Sequence, residues 1–228
     1  GSEMCIRDSS AVSLGKFDGF HRGHRLLLDR ILEHHELHAT VFTFDGILKG
    51  KQIYLEEEKR SLLERLGVER EVLFPFSEET RTMTPETFIR EMLVERMDAK
   101  LICVGEDFHF GKERQGDVDM LSEYAVQYGY ELCVFPKIKE DGEVISSTRI
   151  RRELARGRIE KANRLLGDPY FVRGEVVHGN ALGRTIGMPT ANLLPGEQKL
   201  LPAYGVYATR VEAVSYTHLR AHETVLDL

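Results

Sequence analysis

The sequence predicts an α/β domain, built on a parallel sheet covered by helices, followed by a smaller domain of β type. Strand-like and helix-like segments alternate from residue 11 to about residue 166, and such alternation is typical of parallel strands joined by helices. After Asp168-Pro169 the chain becomes richer in glycine and in strand-length apolar pieces, as β domains are. These two patterns place a domain boundary near residue 168.

Each element of the first domain has its own signal in the sequence. The first strand, predicted at 11–14, precedes a glycine-rich turn and an amphipathic helix over 25–32. Another helix begins at Thr84-Pro85-Glu86, where a capping residue precedes a proline at the first helical position. That helix is predicted over 85–97, and the other helices are 55–66 and 118–128. The other predicted strands are 38–44, 71–76, 100–105 and 130–135. The β domain has predicted strands at 171–177 and 204–211, with turns at Gly179-Asn180 and Pro195-Gly196.

Composition limits the class of protein. Of 228 residues, 42% are hydrophobic and 30% are charged, which is the profile of a soluble globular protein. No apolar run reaches the ~18 to 20 residues that span a bilayer, and the start lacks a signal-peptide pattern, so we expect a cytoplasmic protein with no membrane partner. The formal net charge of −6 argues against a nucleic-acid partner. Three cysteines without CxxC spacing indicate neither a disulfide nor zinc.

The turn after the first strand carries two histidines, His21 and His24, three residues apart at the expected start of a helix. Side chains at this spacing share one helix face. Free N–H groups and the dipole of a helix start attract phosphate, and imidazoles there can donate hydrogen bonds to a triphosphate. Two histidines could instead decorate an exposed helix start. We favour a phosphoryl- or nucleotidyl-transfer site because seven suitable residues coincide at this strand-to-helix junction: Gly15, Phe17, Asp18, Gly19, His21, Gly23 and His24.

A second anion site is predicted at 145–154, where hydroxyl side chains precede a helix whose first turns carry arginines. Hydroxyls, free N–H groups and guanidinium groups together bind phosphate. The alternative is ordinary capping by Ser146 or Ser147, with the arginines solvated.

Three further clusters have ordinary explanations beside functional ones. The segment 105–111 follows a buried strand and could hold a ribose or an adenine ring, or be a plain turn. For His34, His35 and His38 we prefer a solvated helix end to a zinc site, because no partner has ligand spacing. The acidic run 56–58 lies near a helix start, where the dipole favours it, and needs no functional explanation.

Taken together, these segments resemble the bacterial bifunctional riboflavin kinase/FAD synthetases, over roughly residues 11 to 213. The resemblance implies a Rossmann-like nucleotidylyltransferase domain followed by an incomplete riboflavin kinase β-barrel. It rests on five motifs in family order: GKFDGFHRGH at 15–24, VGEDFHFG at 104–111, ISSTRIR at 145–151, LLGDPYFVRGEVVHG at 165–179 and GRTIGMPTANLL at 183–194.

The resemblance implies that the first domain joins the AMP part of ATP to FMN, giving FAD and pyrophosphate with Mg²⁺. His21 and His24 would hold the ATP phosphates and stabilise the transition state, and Arg151 would neutralise the phosphate chain. Asp107 and Phe108 would help position the nucleotide. The other nucleotide-binding residues that it implies are Gly15, Phe17, Asp18, Gly19, Gly23, Ser146, Ser147 and Thr148.

The chain departs from the family pattern at two places. Where many members have Pro-His-Pro, it reads Phe44-Asp45-Gly46, which leaves Asp45 as the residue on the FMN side. The kinase motif supplies Thr190 and Asn192 to hold Mg-ATP, but the chain stops before the glutamate that family members use to activate riboflavin. We therefore expect a truncated kinase domain unable to phosphorylate riboflavin, with self-association through the incomplete barrel.

The expected organisation is a foreign or disordered leader at 1–10, an FMN adenylyltransferase domain at 11–168, a partial riboflavin kinase barrel at 169–213 and a foreign or disordered tail at 214–228. Two alternatives stay open. The chain could transfer a nucleotidyl group to another phosphate acceptor, or it could bind nucleotide or flavin without turnover.

Overall fold

A computed structural model describes residues 9–45, 50–75, 77–177, 190–215 and 222–227, with the backbone alone described for Asp45 and for residues 214, 215 and 222–227. The chain divides into two compact units. The first unit contains residues 1–49 and 59–145, and the second contains 50–58 and 146–228. The second unit therefore includes a short segment that lies between two strands of the first unit in the sequence.

The first unit contains a five-stranded parallel sheet in the order β3-β2-β1-β4-β5. Its strands are β1 (Ser10–Gly15), β2 (His38–Asp45), β3 (Arg70–Pro75), β4 (Ala99–Gly105) and β5 (Glu131–Phe135). Its helices are α1 (Arg22–Leu32), α2 (Glu56–Leu66, with 56–58 in the second unit), α3 (Glu78–Thr82), α4 (Pro85–Thr87, continued by a π-helical segment, Phe88–Arg96) and α5 (Val118–Tyr128), followed by the hairpin β6 (Lys139–Glu140) and β7 (Glu143–Val144).

The core of the first unit is an aromatic and aliphatic layer between the sheet and its helices. Phe42, Phe74 and Phe110 all pack within 5.4 to 6.0 Å, between ring centroids, of Phe88. Thr84 caps α4 by accepting the Thr87 N–H, and Pro85 is the first helical residue, as the sequence predicts. This core fixes the positions of the strand ends that carry the loops described below.

Strand β1 lies at the centre of the sheet, between β2 and β4. The strand order reverses there, because the chain moves outward from β1 to β3 and then returns to β4 on the other side. In open parallel sheets, ligands bind at the carboxyl ends of the strands, at such a switch point. The loops after β1 and β4, which carry the motifs at 15–24 and 104–111, flank this position.

The second unit contains α6 (Ser147–Ala155) and α7 (Ile159–Leu166), followed by the strands β8 (Phe171–Val177), β9 (Asn192–Pro195), β10 (Arg210–Ser215) and β11 (His222–Asp227). These strands form an antiparallel sheet in the order β10-β11-β8-β9. The antiparallel pairing is that of a partial barrel. The predicted fold class, an α/β domain followed by an incomplete β-barrel, is confirmed.

The predicted strand at 204–211 is wrong. The structure has no strand over 201–209, and β10 begins at Arg210. Tyr204 and Val206 are fully exposed, so the apolar pattern that predicted a strand does not mark buried positions here. Three features of the structure were not predicted: α3, α7 and the β6–β7 hairpin. The predicted turn at Gly179-Asn180 lies outside the described residues. Among the described residues, no helix combines the length and apolarity needed to cross a membrane.

Candidate active site

His21 caps the helix that it precedes. Its backbone is extended, with φ −66° and ψ 170°, and its Nδ1 accepts a hydrogen bond from the His24 N–H at 3.3 Å. A neutral imidazole carries one proton, so an Nδ1 that accepts leaves the proton on Nε2. The cap therefore assigns His21 to the tautomer that carries its proton on Nε2.

The rings of His21 and His24 are stacked, with centroids 3.8 Å apart and planes 15° from parallel. Burial lowers the pKa of His21 to about 4, although the nearby Asp18 carboxylate raises it in part. Burial also lowers the pKa of His24 well below its usual value, and the neighbouring His21 lowers it further. Both rings are therefore neutral at pH 7. The Nδ1 atom of His24 is enclosed and has no hydrogen-bond partner in the described part of the chain.

Two phenylalanines and two glycines shape the histidine loop, residues 15–24. Phe17 and Phe20 are buried and stack at 5.6 Å, and both have left-handed backbones with φ 39° and 38°. Left-handed backbone at bulky residues costs energy and is found where the surrounding packing imposes it. Gly19 has φ 99°, which favours glycine. A Cβ on Gly23 would lie 3.1 Å from Cε1 of His21, so the glycine makes room for the ring.

Two further residues of the predicted site complete this loop. Gly15 ends β1, where an added Cβ would lie 3.0 Å from the Phe17 ring. Asp18 is buried, with 3% of its surface exposed. The seven predicted residues from Gly15 to His24 therefore lie between the end of β1 and the first turn of α1.

The loop after β4 presents Asp107 and Phe108 at the same edge of the sheet. Asp107 is exposed and pairs with Lys137 Nζ at 2.8 Å, an interaction that raises the pKa of Lys137. Phe108 is half-buried and stacks on Phe110, with centroids 5.7 Å apart. Phe108 therefore belongs partly to the core. Sequence reasoning missed Lys137, because no motif marks it and 30 positions separate it from Asp107.

Apart from Ile145, which ends the first unit, the motif at 145–151 belongs to the second unit. Ser146 is the cap of α6, accepting the Arg149 N–H at 3.3 Å, and Ser147 is the first helical residue. Thr148 is exposed, and Arg151 is half-buried and donates from Nη1 to the Lys51 carbonyl. The alternative that leaves all these arginines solvated is wrong for Arg149, which is only 2% exposed.

Three predicted residues remain: Asp45, Thr190 and Asn192. Asp45 ends β2, and its side chain is outside the described residues. In the second unit, Thr190 is exposed and Asn192 begins β9 opposite Val177. Among the described residues, no group of three or more His, Cys, Asp or Glu side chains could hold a metal ion.

The histidines at 34–38 and the acidic run 56–58 differ in how well their ordinary explanations hold. His38 Nδ1 lies 2.6 Å from a Glu69 carboxylate oxygen, and His34 Nδ1 lies 3.0 Å from one of Glu36, so these histidines have carboxylate partners without forming a metal cluster. The helix-dipole explanation of the acidic run 56–58 is incomplete. Glu58 is 1% exposed and forms an ion pair with Lys199, a contact between residues 141 positions apart.

A glycine-rich loop with two histidines at the switch point of a parallel sheet defines a nucleotidylyltransferase-like α/β domain. The family model described as FAD synthetase matches residues 4–149, and the one described as riboflavin kinase matches residues 166–225. The chain belongs to the family of bifunctional riboflavin kinase/FMN adenylyltransferases, with its FAD synthetase part in the amino-terminal portion.

Several named proteins support this membership. The Escherichia coli K12 protein named bifunctional riboflavin kinase/FMN adenylyltransferase is 34% identical over 218 residues, which cover 90% of this chain and 69% of that protein. A Listeria monocytogenes protein of the same name is 35% identical, covering 92% of this chain and 70% of its own length. A Streptococcus pneumoniae crystal structure titled macrolide-efflux protein is 32% identical with a TM-score of 0.78, covering 96% of this chain and 80% of its own.

Proposed function

We propose that the chain is an FMN adenylyltransferase, which joins the AMP part of ATP to FMN and releases pyrophosphate and FAD. The observation that carries the proposal is the stacked, neutral pair of His21 and His24 at the start of α1, at the switch point of the sheet. The names of the relatives support FMN as the acceptor.

The reaction proceeds by a single in-line displacement. A phosphate oxygen of FMN attacks the α-phosphorus of ATP, the new O–P bond forms, and the bond from the α-phosphorus to the bridging oxygen breaks to release pyrophosphate. The attacking phosphate is already anionic at neutral pH, so no side chain has to remove a proton. Catalysis then depends on orientation and on donors placed where negative charge develops.

His21 supplies such a donor. Its Nδ1 is occupied by the His24 N–H, so its Nε2–H is directed to a phosphate oxygen and keeps its proton throughout the reaction. The helix start also leaves the N–H groups of Arg22 and Gly23 without intrahelical partners, and these attract phosphate. His24 stacks beneath His21 and keeps the ring in place.

The other residues of the predicted site have supporting roles in this proposal. Asp107 and Phe108 position the nucleotide, and Ser146, Ser147, Thr148 and Arg151 bind and neutralise the phosphate chain. Their side chains suit these roles because hydroxyls and guanidinium groups donate to phosphate oxygens. Asp45 lies on the flavin side.

Mg²⁺ fits this reaction as part of the substrate Mg-ATP. The ion takes oxygen ligands, keeps several waters and is usually held by phosphates with one or two carboxylates. In the loops described above, Asp18 is buried and Asp107 is paired with Lys137. This donor set suits an ion that arrives on the triphosphate. In the second unit, the Thr190 hydroxyl and the Asn192 amide oxygen suit the Mg-ATP of the kinase part.

The same proposal includes domain boundaries at residues 10, 168 and 213, a cytoplasmic location, and self-association through the partial barrel. Exposed apolar side chains in the second unit support self-association: Leu194, Leu201, Tyr204, Val206 and Val211. Analytical ultracentrifugation over a concentration series tests it, and a monomer at every concentration would contradict it.

The activity is tested by incubating the purified chain with Mg-ATP and either FMN or riboflavin, then separating the flavins by chromatography. We expect FAD from FMN and no change in riboflavin. The diagnostic variant is His21→Asn, because asparagine keeps the helix cap but lacks the Nε2–H. We expect it to lower kcat by about 100-fold or more, as loss of one transition-state donor does.

The matched control is His35→Asn, an exposed histidine away from the motif, which should leave FAD formation unchanged. Binding of ATP and FMN without FAD would indicate a binding protein without turnover. Transfer of AMP to another phosphate compound, with FMN untouched, would indicate a different acceptor.

A further inference from the structure

The second unit contains a buried lysine, Lys199, surrounded by groups that stabilise its positive charge. Its Nζ lies 2.7 Å from a Glu58 carboxylate oxygen and 2.7 Å from the Ile53 carbonyl, and none of its side chain is exposed. The same Nζ lies 4.6, 4.5 and 5.5 Å from three aromatic ring centroids. We call this group the Lys199 cluster: Lys199, Glu58, Tyr54, Tyr170 and Phe171.

The Lys199 cluster is more polar than packing alone requires. A buried ion pair is often no more stabilising than apolar side chains of similar volume. Here the ammonium is matched by a carboxylate, a carbonyl and three aromatic faces, which lowers the cost of its burial. An arrangement of this kind fixes the positions of the surrounding backbone and side-chain atoms, because each hydrogen bond of the ammonium group holds a particular atom in place.

The atoms that it holds belong to the segment 50–58. Besides the Ile53 carbonyl, Glu58 accepts the Leu55 N–H at 2.8 Å and, through its other oxygen, the Arg173 N–H at 2.8 Å. Backbone bonds on either side of Lys199 join the same segment, from the Gln52 N–H to the Gln198 carbonyl and from the Leu200 N–H to the Gln52 carbonyl, both at 2.7 Å. Residues 52–58 are therefore fixed along their length.

The fixed segment contacts Arg151. The Arg151 Nη1 donates to the carbonyl of Lys51, the residue before the first of these backbone bonds. A guanidinium group is planar and its five donors have fixed directions. The hydrogen bond to the Lys51 carbonyl therefore restrains how the guanidinium plane of Arg151 is oriented.

We propose that Lys199 and Glu58 are positioning residues for Arg151 in adenylyl transfer. They hold the segment 50–58, whose Lys51 carbonyl orients the guanidinium for the phosphate chain. This inference rests on the proposed function, in which Arg151 contacts phosphate. In this proposal Lys199 and Glu58 act through Arg151 and not on the substrate.

The test is a double-mutant cycle on FAD formation from FMN and Mg-ATP, with kcat and KM determined for each protein. Lys199→Met keeps the apolar stem and removes the charge. In the parent background we expect kcat to fall about 10-fold while KM for FMN stays unchanged. In an Arg151→Met background we expect Lys199→Met to cause no further loss, because the residue through which it acts is gone.

The matched control is Lys100→Met, an exposed lysine near the start of β4, which should leave kcat unchanged in both backgrounds. An equal loss caused by Lys199→Met in both backgrounds would mean a general structural effect and would overturn the inference. The inference is also overturned if the Arg151→Met protein forms FAD at the parent rate. In that case the proposed function still holds. A parent chain that forms no FAD overturns the proposed function and this inference together.

Two further variants keep the test decisive if Lys199→Met fails to fold. Glu58→Gln removes the opposite charge at nearly constant volume and should show the same background dependence. Lys199→Ala should regain activity when n-propylammonium is added, since this ion replaces the missing atoms of the lysine side chain. Rescue of the Lys199→Ala protein but not of Lys199→Ala with Arg151→Met supports the inference, and equal rescue of both overturns it.

Discussion

The histidine loop and the Lys199 cluster both bury ionisable side chains, but they control charge in opposite ways. In the loop, burial lowers the pKa values of two adjacent histidines, so both rings are neutral donors or acceptors. In the cluster, a carboxylate and aromatic faces surround a lysine. The loop is made from ten consecutive residues, whereas the cluster joins residues 53–58, 170–171 and 199. Only the first arrangement can be read from a local motif.

The largest expected effect concerns the cluster. Lys199→Met should lower the free energy of unfolding of the second unit by about 3 to 5 kcal/mol, because it leaves the Glu58 carboxylate buried without its partner. The measurement is denaturant-dependent hydrogen exchange of peptides that cover β8. Adding Glu58→Gln should restore part of the loss. If the two single-variant losses in the free energy of unfolding simply add in the double variant, the coupling between Lys199 and Glu58 is contradicted.

The second effect concerns the loop and is dependent on pH. The pKa of His21 is about 4 in the folded protein, below its ordinary value near 6.5, so the unfolded chain binds the proton more readily. The contribution of neutral His21 to the free energy of unfolding is about 3 kcal/mol. It is fully present above about pH 6.5 and is lost as the pH falls to about 4.

Hydrogen exchange of peptides covering β1 and α1, at pH 7 and pH 4.5, measures this loss. His21→Asn should reduce it relative to the parent, leaving the share due to His24. An acid-induced loss of the same size in both proteins would show that His21 is not a source of it.

A third prediction concerns the space beside the His21 ring. Alanine normally stabilises a helix relative to glycine by up to about 1 kcal/mol. Gly23→Ala should do the reverse and destabilise the first unit by about 1 to 3 kcal/mol, since its Cβ would crowd the ring and move it from the cap. Thermal unfolding gives the sign, and a more stable variant with full FAD formation would contradict the tight packing.

The smallest expected effect on stability is at Asp107. Its ion pair with Lys137 is exposed, and such pairs contribute less than about 1 kcal/mol. Asp107→Asn should therefore unfold like the parent while its KM for ATP rises several-fold. Glu123→Gln, an exposed carboxylate on α5, is the matched control. An unchanged KM for ATP would remove Asp107 from the nucleotide site.

The parts of the fold and site that the sequence predicts are those with local causes. The five strands of the parallel sheet follow apolar runs, Thr84-Pro85 begins a helix as expected, and His21 to His24 lie where a glycine-rich turn meets α1. The strand predicted at 204–211 is wrong because the apolar residues Tyr204 and Val206 are exposed. Neighbouring residues in the sequence do not tell which apolar side chains find a partner.

The parts that the sequence does not predict depend on distant contacts. Glu58 reads as one acid among three at a helix start, yet it alone of that run is almost fully buried, because Lys199 lies against it. Lys137 has no motif and is identified by its contact with Asp107. Solvation of Arg149 is one of two alternatives that the sequence leaves open, and Arg149 is buried. The partners of Glu58 and Lys137 and the burial of Arg149 are all set by the tertiary fold.

The proposed chemistry depends most on His21 being a neutral imidazole whose proton lies on Nε2, where it can donate to phosphate. Two-bond ¹H–¹⁵N correlation spectra of the imidazole groups at pH 6, assigned with His21→Asn, report charge and tautomer directly. We expect a neutral ring with its proton on Nε2 and no change in charge between pH 6 and pH 7.5. A protonated His21 at pH 6, or a neutral ring with its proton on Nδ1, would contradict it.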